Sequence, residues 1–408
     1  MECVSSPFTP RCQDHPRVTQ IATDWLEIPV VQGRNTVAFL QHIDLKPSAW
    51  PLLLLVFFTA AGCAPRPGPE ALSMVPQGET ATRHVTIRVA TTRARDASTG
   101  SYSDVRAPAL NYESFTISIP PTHKVTQIEW PKSKPDPQTS FTVTDRRVLP
   151  DIALNVGPSR SDPYTPFTGK RDILIFVHGY NNNFVESLFR LAQISADGNL
   201  EEMPILFAWP SAANVMGYVS DKDAVTYSRD DLVQFLTVVA TDPAVGNITL
   251  FGHSMGGWLV AEALRQLRIS GQDKVIERLE NVVLAAPDID LDVFRRQLQT
   301  IGALNPPMTL LVSPDDRALK ISGRLAGSRG RVGTTDANDP RVQALAAANG
   351  IRVVDISNLE ALDGTNHNKF VALMEVFPPA TRSIFDSLAQ AGAFILDPES
   401  ATLVASQQ

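Results

Sequence analysis

The hexapeptide Gly252-His253-Ser254-Met255-Gly256-Gly257 carries the strongest chemical signal in the chain. Its Gly-x-Ser-x-Gly spacing places a serine on a sharp turn between a strand and a helix. Such a turn lifts the hydroxyl clear of the backbone. Glycines flank it because a Cβ there would meet the neighbouring strand and helix. The apolar run NITLF precedes the turn and an amphipathic stretch follows it, so Ser254 reads as a nucleophile. The competing reading is a tight turn whose serine only caps the helix.

A serine hydroxyl is a weak nucleophile until a base takes its proton. The chain has seven histidines. His15 and His42 fall in a doubtful leader, and His84 and His123 in a β-rich stretch. His253 is too close in sequence to turn onto Ser254. His178 directly follows an apolar strand and reads as a brace for its loop. His367, in the polar loop LDGTNHN, remains as the base. A third group must accept the imidazole N–H and stabilise the imidazolium. Three carboxylates compete: Asp316 and Asp315 in SPDDRAL, and Asp288 in AAPDID. Position after the penultimate strand and spacing to Leu319 favour Asp316. A spare aspartate here reads as a helix cap or turn residue. An oxyanion formed during acyl transfer needs backbone N–H donors. Met255, directly after the serine, and Tyr180, in the loop HGYNNNF, are assigned to that task. Trp209, at the end of another strand, reads either as a wall of an acyl pocket or as a core tryptophan.

These residues need a scaffold. The runs Ile173–Val177, 204–209, 247–251, 281–286, 308–312 and 351–356 are short and apolar, as strands buried on both faces should be. Helical patterns over 184–196, 224–240, 255–267, 291–301 and from Lys369 onward interleave with them. Strands alternating with helices imply an α/β fold with a doubly wound, mostly parallel sheet. Ahead of it, alternation at 84–90, 115–119 and 141–144 marks a small β-rich N-terminal extension. The expected divisions are a doubtful leader (1–44), a signal segment (45–63), a Pro-rich linker (64–82), the β-rich extension (83–150), the catalytic domain (171–380) and a C-terminal tail (381–408). The segment between Asp288 and Pro307 sits where a lid would.

The signal segment rests on PLLLLVFFTAA, eleven uncharged residues from Pro51 to Ala61. A membrane-spanning helix needs about 20 apolar residues, so this run fits the core of a signal peptide. Lys46 precedes it, and Ala60-Ala61-Gly62-Cys63 follows. The latter resembles the lipidation box of bacterial lipoproteins, with Ala60 where the pattern prefers leucine. Lipidation of Cys63 would anchor the chain to a membrane of the cell envelope, on its periplasmic side. Residues 1–44 sit awkwardly ahead of such a signal, so translation is expected to begin near Leu45. The competing reading of the apolar run is a buried core element.

Composition narrows the function classes. The 408 residues are 43% apolar and 19% charged, with a net charge of −7. Nucleic acid is not an expected partner, since a phosphate-binding face needs a basic excess. Three cysteines exclude a disulfide scaffold and an all-cysteine zinc site. No metal or other cofactor is called for, because no His/Asp/Glu cluster has ligand spacing.

HGYNNNF, FAWPS, GHSMGG, AAPDID and SPDDRAL occur in this order, with VATTRARD and SFTISIPPTHK upstream. Together they resemble a bacterial family of uncharacterised α/β-hydrolases related to esterases and lipases, over roughly residues 84–378. The resemblance implies a hydrolase fold and serine hydrolase chemistry through Ser254, an aspartate after the penultimate strand, and His367. It supplies no substrate. The expected reaction is cleavage of a small-molecule acyl ester through an acyl-enzyme. A thioesterase, amidase or peptidase on the same residues is the first alternative. A non-enzymatic binding domain tethered at the envelope is the second.

Overall fold

The computed structural model describes residues 66–75, 83–131, 134–152, 169–361, 363–373 and 394–396. Cys63, the leader 1–44, the signal 45–63 and most of the expected tail lie outside the described residues.

Among the described residues ten strands form one sheet. They are β1 (Arg83–Arg95), β2 (Tyr102–Ile119), β3 (Thr142–Leu149), β4 (Arg171–Val177), β5 (Met203–Ala208), β6 (Val245–His253), β7 (Leu279–Ala285), β8 (Met308–Val312), β9 (Ile351–Asp355) and β10 (Phe394–Leu396). Their spatial order is β10-β9-β8-β7-β6-β4-β5-β1-β2-β3. The strands from β9 through β1 in that order run parallel, and β10, β2 and β3 are antiparallel to their neighbours. The central strands are apolar on both faces because both faces are covered. Ile173, Ile175 and Val177 of β4 enter one core, and Leu174 and Phe176 enter the other. Helix α1 (Phe184–Asp197) packs into the second core. Helices α2 (Tyr218–Thr241), α3 (Met255–Ile269) and α4 (Leu291–Ile301) pack into the first. This is the doubly wound α/β arrangement.

The β-rich extension is continuous with the central sheet. β1 pairs in parallel with β5 from Arg88↔Ile205 to Thr91↔Ala208. β2 is far longer than the apolar run at 115–119 suggests. Its polar first half is carried by pairing with β1 rather than by burial. Two expected divisions need correction. Part of the linker is packed: Ala71 and Leu72 are buried in the second core, and the Val75 N–H bonds to the Val143 carbonyl at 2.9 Å. Part of the tail, Phe394–Leu396, closes one sheet edge against β9. The helix within 288–307 is packed against the body of the fold. Phe294, Leu298 and Ile301 bury the inner face of α4, and Gln297 bonds to Glu262 of α3 at 2.6 Å. Helices α5 (Arg317–Leu325) and α6 (Pro340–Asn349) were not anticipated.

The chain leaves β4 toward β5 and returns on the other side of β4 as β6. That reversal opens a crevice at the carboxyl ends of β4 and β6, where open α/β sheets bind ligands. Glycines let α3 start hard against β4 there. A Cβ on Gly256 would lie 2.3 Å from the Val177 carbonyl oxygen and 2.5 Å from that of His178. Backbone on both sides leaves no flexible atom to yield. Gly256→Ala is therefore expected to cost about 2 kcal/mol or more in denaturant unfolding. A stability equal to wild type would contradict this packing.

Candidate active site

Ser254 is the single residue between β6 and α3. Its backbone adopts φ 55°, ψ −119°, outside the regions ordinary residues favour. Its N–H bonds to the Ala285 carbonyl at 2.9 Å, and its own carbonyl accepts the Asp288 N–H at 3.2 Å and the Gly257 N–H at 3.0 Å. The tightness extends to both glycines of the motif. A Cβ on Gly252 would sit 2.8 Å from the Gly256 oxygen. The Ser254 hydroxyl makes no hydrogen bond among the described residues. It opens instead on a cavity of about 400 Å³ that His367 also lines.

His367 sits in the loop after β9. Its Nδ1 donates to Asp316 Oδ2 at 2.7 Å, which leaves Nε2 as the basic nitrogen. Asp316 is fully buried and is also the N-cap of α5, where Oδ1 accepts the Leu319 N–H at 2.9 Å. Cap and histidine partner are thus one carboxylate using its two oxygens. Burial opposes charge on His367, but the Asp316 hydrogen bond and charge, helped by Asp288 and Asp363, outweigh it. The ring titrates above the ordinary histidine range. Asp363 also shapes the loop, since its oxygens accept the His367 N–H at 3.3 Å and the Asn368 N–H at 3.1 Å.

The rival carboxylates are committed elsewhere. Asp315 pairs with the buried Lys369 at 2.9 Å and accepts the Asn366 amide at 2.8 Å. Asp288 pairs with buried Arg331 at 3.1 Å, and accepts from Tyr218 at 3.0 Å and Ser322 at 2.8 Å. Neither bonds to the ring of His367. Of the three candidate carboxylates, Asp316 is the one bonded to the His367 ring.

The two residues assigned as N–H donors lie close to the serine. Met255 is the first residue of α3, where the N–H has no intrahelical acceptor. Tyr180 follows Gly179, whose Cβ, if present, would lie 3.0 Å from the Ser254 Cβ. Neither the Met255 nor the Tyr180 N–H donates to another group among the described residues. Arg66 staples the Tyr180 loop to its neighbour, bonding Asn181 Oδ1 at 2.8 Å and the Ala213 carbonyl at 2.5 Å. Asp221 does the same from α2, accepting from Ser211 at 2.6 Å and the Ala212 N–H at 2.8 Å. Neither was found from sequence, because both are isolated charges inside unremarkable stretches.

His178 and His253 are held in structural contacts. The ring of His178 lies with its nitrogens 2.9 Å from the Gly179 carbonyl and 3.0 Å from that of Trp209. Burial, with the Arg93 charge adding to it, pushes its pKa down to about 3, so it stays neutral. His253 is buried and neutral as well, and its Nε2 donates to the His367 carbonyl at 3.4 Å. Trp209 does not line the cavity. It stacks on His178 at 4.9 Å and donates Nε1–H to the His178 carbonyl at 2.7 Å. Among the described residues no cluster of three or more His, Cys, Asp or Glu could hold a metal ion.

A family described as "Alpha/beta hydrolase of unknown function (DUF900)" matches residues 167–383. The chain belongs to this family. A solved structure described as a "Putative hydrolase" from Agrobacterium vitis S4 is 12% identical, with a TM-score of 0.31, over 67% of this chain and 95% of that one. No curated protein matches. The family makes the chain an α/β-hydrolase and names no substrate.

The His367 titration follows from these contacts. Its imidazole, read by NMR, is expected to titrate above 6.5, the ordinary value for the side chain. A carboxylate favours the imidazolium, so Asp316→Asn should move that titration down by a unit or more, on the order of 1–3 units for a buried contact pair. Asp315→Asn should leave it within about half a unit, since that charge is spent on Lys369. Equal shifts for the two variants would contradict the assignment.

Proposed function

We propose that this hydrolase cleaves carboxylic esters through Ser254, His367 and Asp316. The observation that carries the reading is the backbone at Ser254, which holds a hydroxyl with no hydrogen-bond partner in the cavity that the Asp316-bound imidazole lines. A hydroxyl that only capped the helix would accept from its first turn, and Ser254 makes no such bond.

In the proposed reaction His367 Nε2 takes the hydroxyl proton as Ser254 Oγ attacks the ester carbonyl carbon. Asp316 compensates the charge that forms on the ring. The Met255 and Tyr180 N–H groups hold the oxyanion. Collapse breaks the C–O bond, and the imidazolium returns its proton to the departing alcohol. Water, deprotonated by the same nitrogen, then releases the acyl group from Ser254. His367 must be neutral to begin, so the raised ring titration places the acid limb of kcat/KM above the ordinary histidine range. Exposed Val215, Ile321 and Leu325 line the cavity, which suits an apolar acyl chain. Esters are favoured over amides because alcohols leave more readily than amines.

The proposal includes the envelope location through lipidated Cys63. One experiment addresses both. A fluorophosphonate probe applied to cells is expected to label the wild type in the membrane fraction and to leave Ser254→Ala unlabelled. The labelled Cys63→Ser protein is expected in the soluble fraction. An unlabelled wild type, or a labelled Ser254→Ala, would defeat the catalytic assignment. A Cys63→Ser protein that stays in the membrane fraction would defeat the anchor.

A further inference from the structure

Apart from histidines, three ionisable acids or bases among the described cavity residues are fully charged types: Arg66, Arg190 and Asp288. Two are neutralised within the protein. Arg66 grips Glu186 through two hydrogen bonds of 2.8 Å, and Asp288 pairs with Arg331 at 3.1 Å. Arg190, on α1, makes no ion pair among the described residues. Its one hydrogen bond is from Nη1 to the Gln193 side-chain oxygen at 2.8 Å.

The carboxylates whose charge reaches Arg190 are Asp363, Asp197 and Glu186, and all are engaged. Asp363 accepts from the His367 and Asn368 N–H groups and from Thr365. Asp197 bonds to His123 at 2.7 Å and to Thr126 and Gln193. Glu186 holds Arg66 and the Asn183 N–H. A guanidinium presents five N–H donors in a planar fork, so Arg190, which lines the catalytic cavity, keeps most of its donors without a partner among the described residues. Asn368 also lines the cavity, and its side chain makes no hydrogen bond among the described residues. Burial disfavours the charge on Arg190, and an adjacent oxyanion would offset that.

We propose that Arg190 is a substrate-binding residue that seats an oxyanion, a carboxylate or a phosphate, carried by the ester that Ser254 cleaves. This rests on the hydrolytic reading above and assigns that reading a substrate class: anionic rather than neutral esters.

The test compares p-nitrophenyl hemiglutarate with p-nitrophenyl valerate, which share a chain length and differ in terminal charge. Full-length wild type, Arg190→Gln and Arg190→Lys are assayed with both. The ratio of kcat/KM, anionic over neutral, is expected to exceed one in wild type and to fall about ten- to a hundred-fold in Arg190→Gln, mainly through KM. Arg190→Lys keeps the charge without the fork and is expected to fall between. Calorimetry with glutarate and with inorganic phosphate reads the same site without turnover. Weaker binding of either anion to Arg190→Gln than to wild type supports the site, and the anion bound more tightly identifies the group. An unchanged ratio, with anion binding equal in wild type and Arg190→Gln, overturns the proposal while ester cleavage stands. Arg190-dependent anion binding in a wild type that cleaves neither ester supports the anion site and removes the hydrolytic reading.

Discussion

The site depends on one backbone conformation. Ser254 sits at φ 55°, ψ −119°, which costs a non-glycine residue about 1–3 kcal/mol unless its surroundings over-determine it. They do. Its amide and carbonyl are bonded to β7 and to the segment after it, and Gly252 and Gly256 let α3 press against β6 and β4 closely enough to exclude a Cβ. The hydroxyl is thereby fixed where three other strand ends deliver their groups. Tyr180 follows β4, Asp316 follows β8, and His367 lies beyond β9. A parallel sheet makes this convergence possible because all those ends lie on one edge.

Charge placement then separates the near-equivalent carboxylates. Asp288, Asp315 and Asp316 all lie beside the site, yet Arg331 and Lys369 each take one of them. The Arg331–Asp288 pair is buried on both sides, so removing either partner would leave an uncompensated charge, whereas in the other pair Lys369 is buried and the Asp315 carboxylate is half exposed. Asp316 alone of the three is left to bond the His367 ring, and its second oxygen caps α5. That helix also supplies Leu319, Ile321 and Leu325 to the cavity, so one residue links orientation of the imidazole to placement of an apolar wall.

Much of this was legible in the residues. The six central strands were readable because burial on both faces produces unbroken apolar runs such as Ile173–Val177. Ser254 and His367 were singled out by a rigid turn motif and by elimination among few histidines, and both line one cavity. Position along the chain favoured Asp316 over Asp315 and Asp288; what the residues did not show is how Lys369 and Arg331 occupy the other two, through contacts that span 54 and about 40 residues of chain. Trp209 was ambiguous because an aromatic at a strand end suits a pocket or a core equally; its stacking on His178 places it in the core. Helix α6 and the first half of β2 lack periodic apolar signals, being held by caps and by a neighbouring strand. Arg190 left no trace, since an arginine in an amphipathic helix ordinarily faces water.

The central claim is that the hydroxyl of Ser254 becomes acylated during turnover. Acid-quenching the enzyme with an aryl ester in the steady state, followed by peptide mass spectrometry, measures this directly. The account predicts an acyl mass on the peptide containing Ser254, cleared with time as substrate is exhausted. Turnover with that peptide unmodified, or with the acyl group on another side chain, would contradict it.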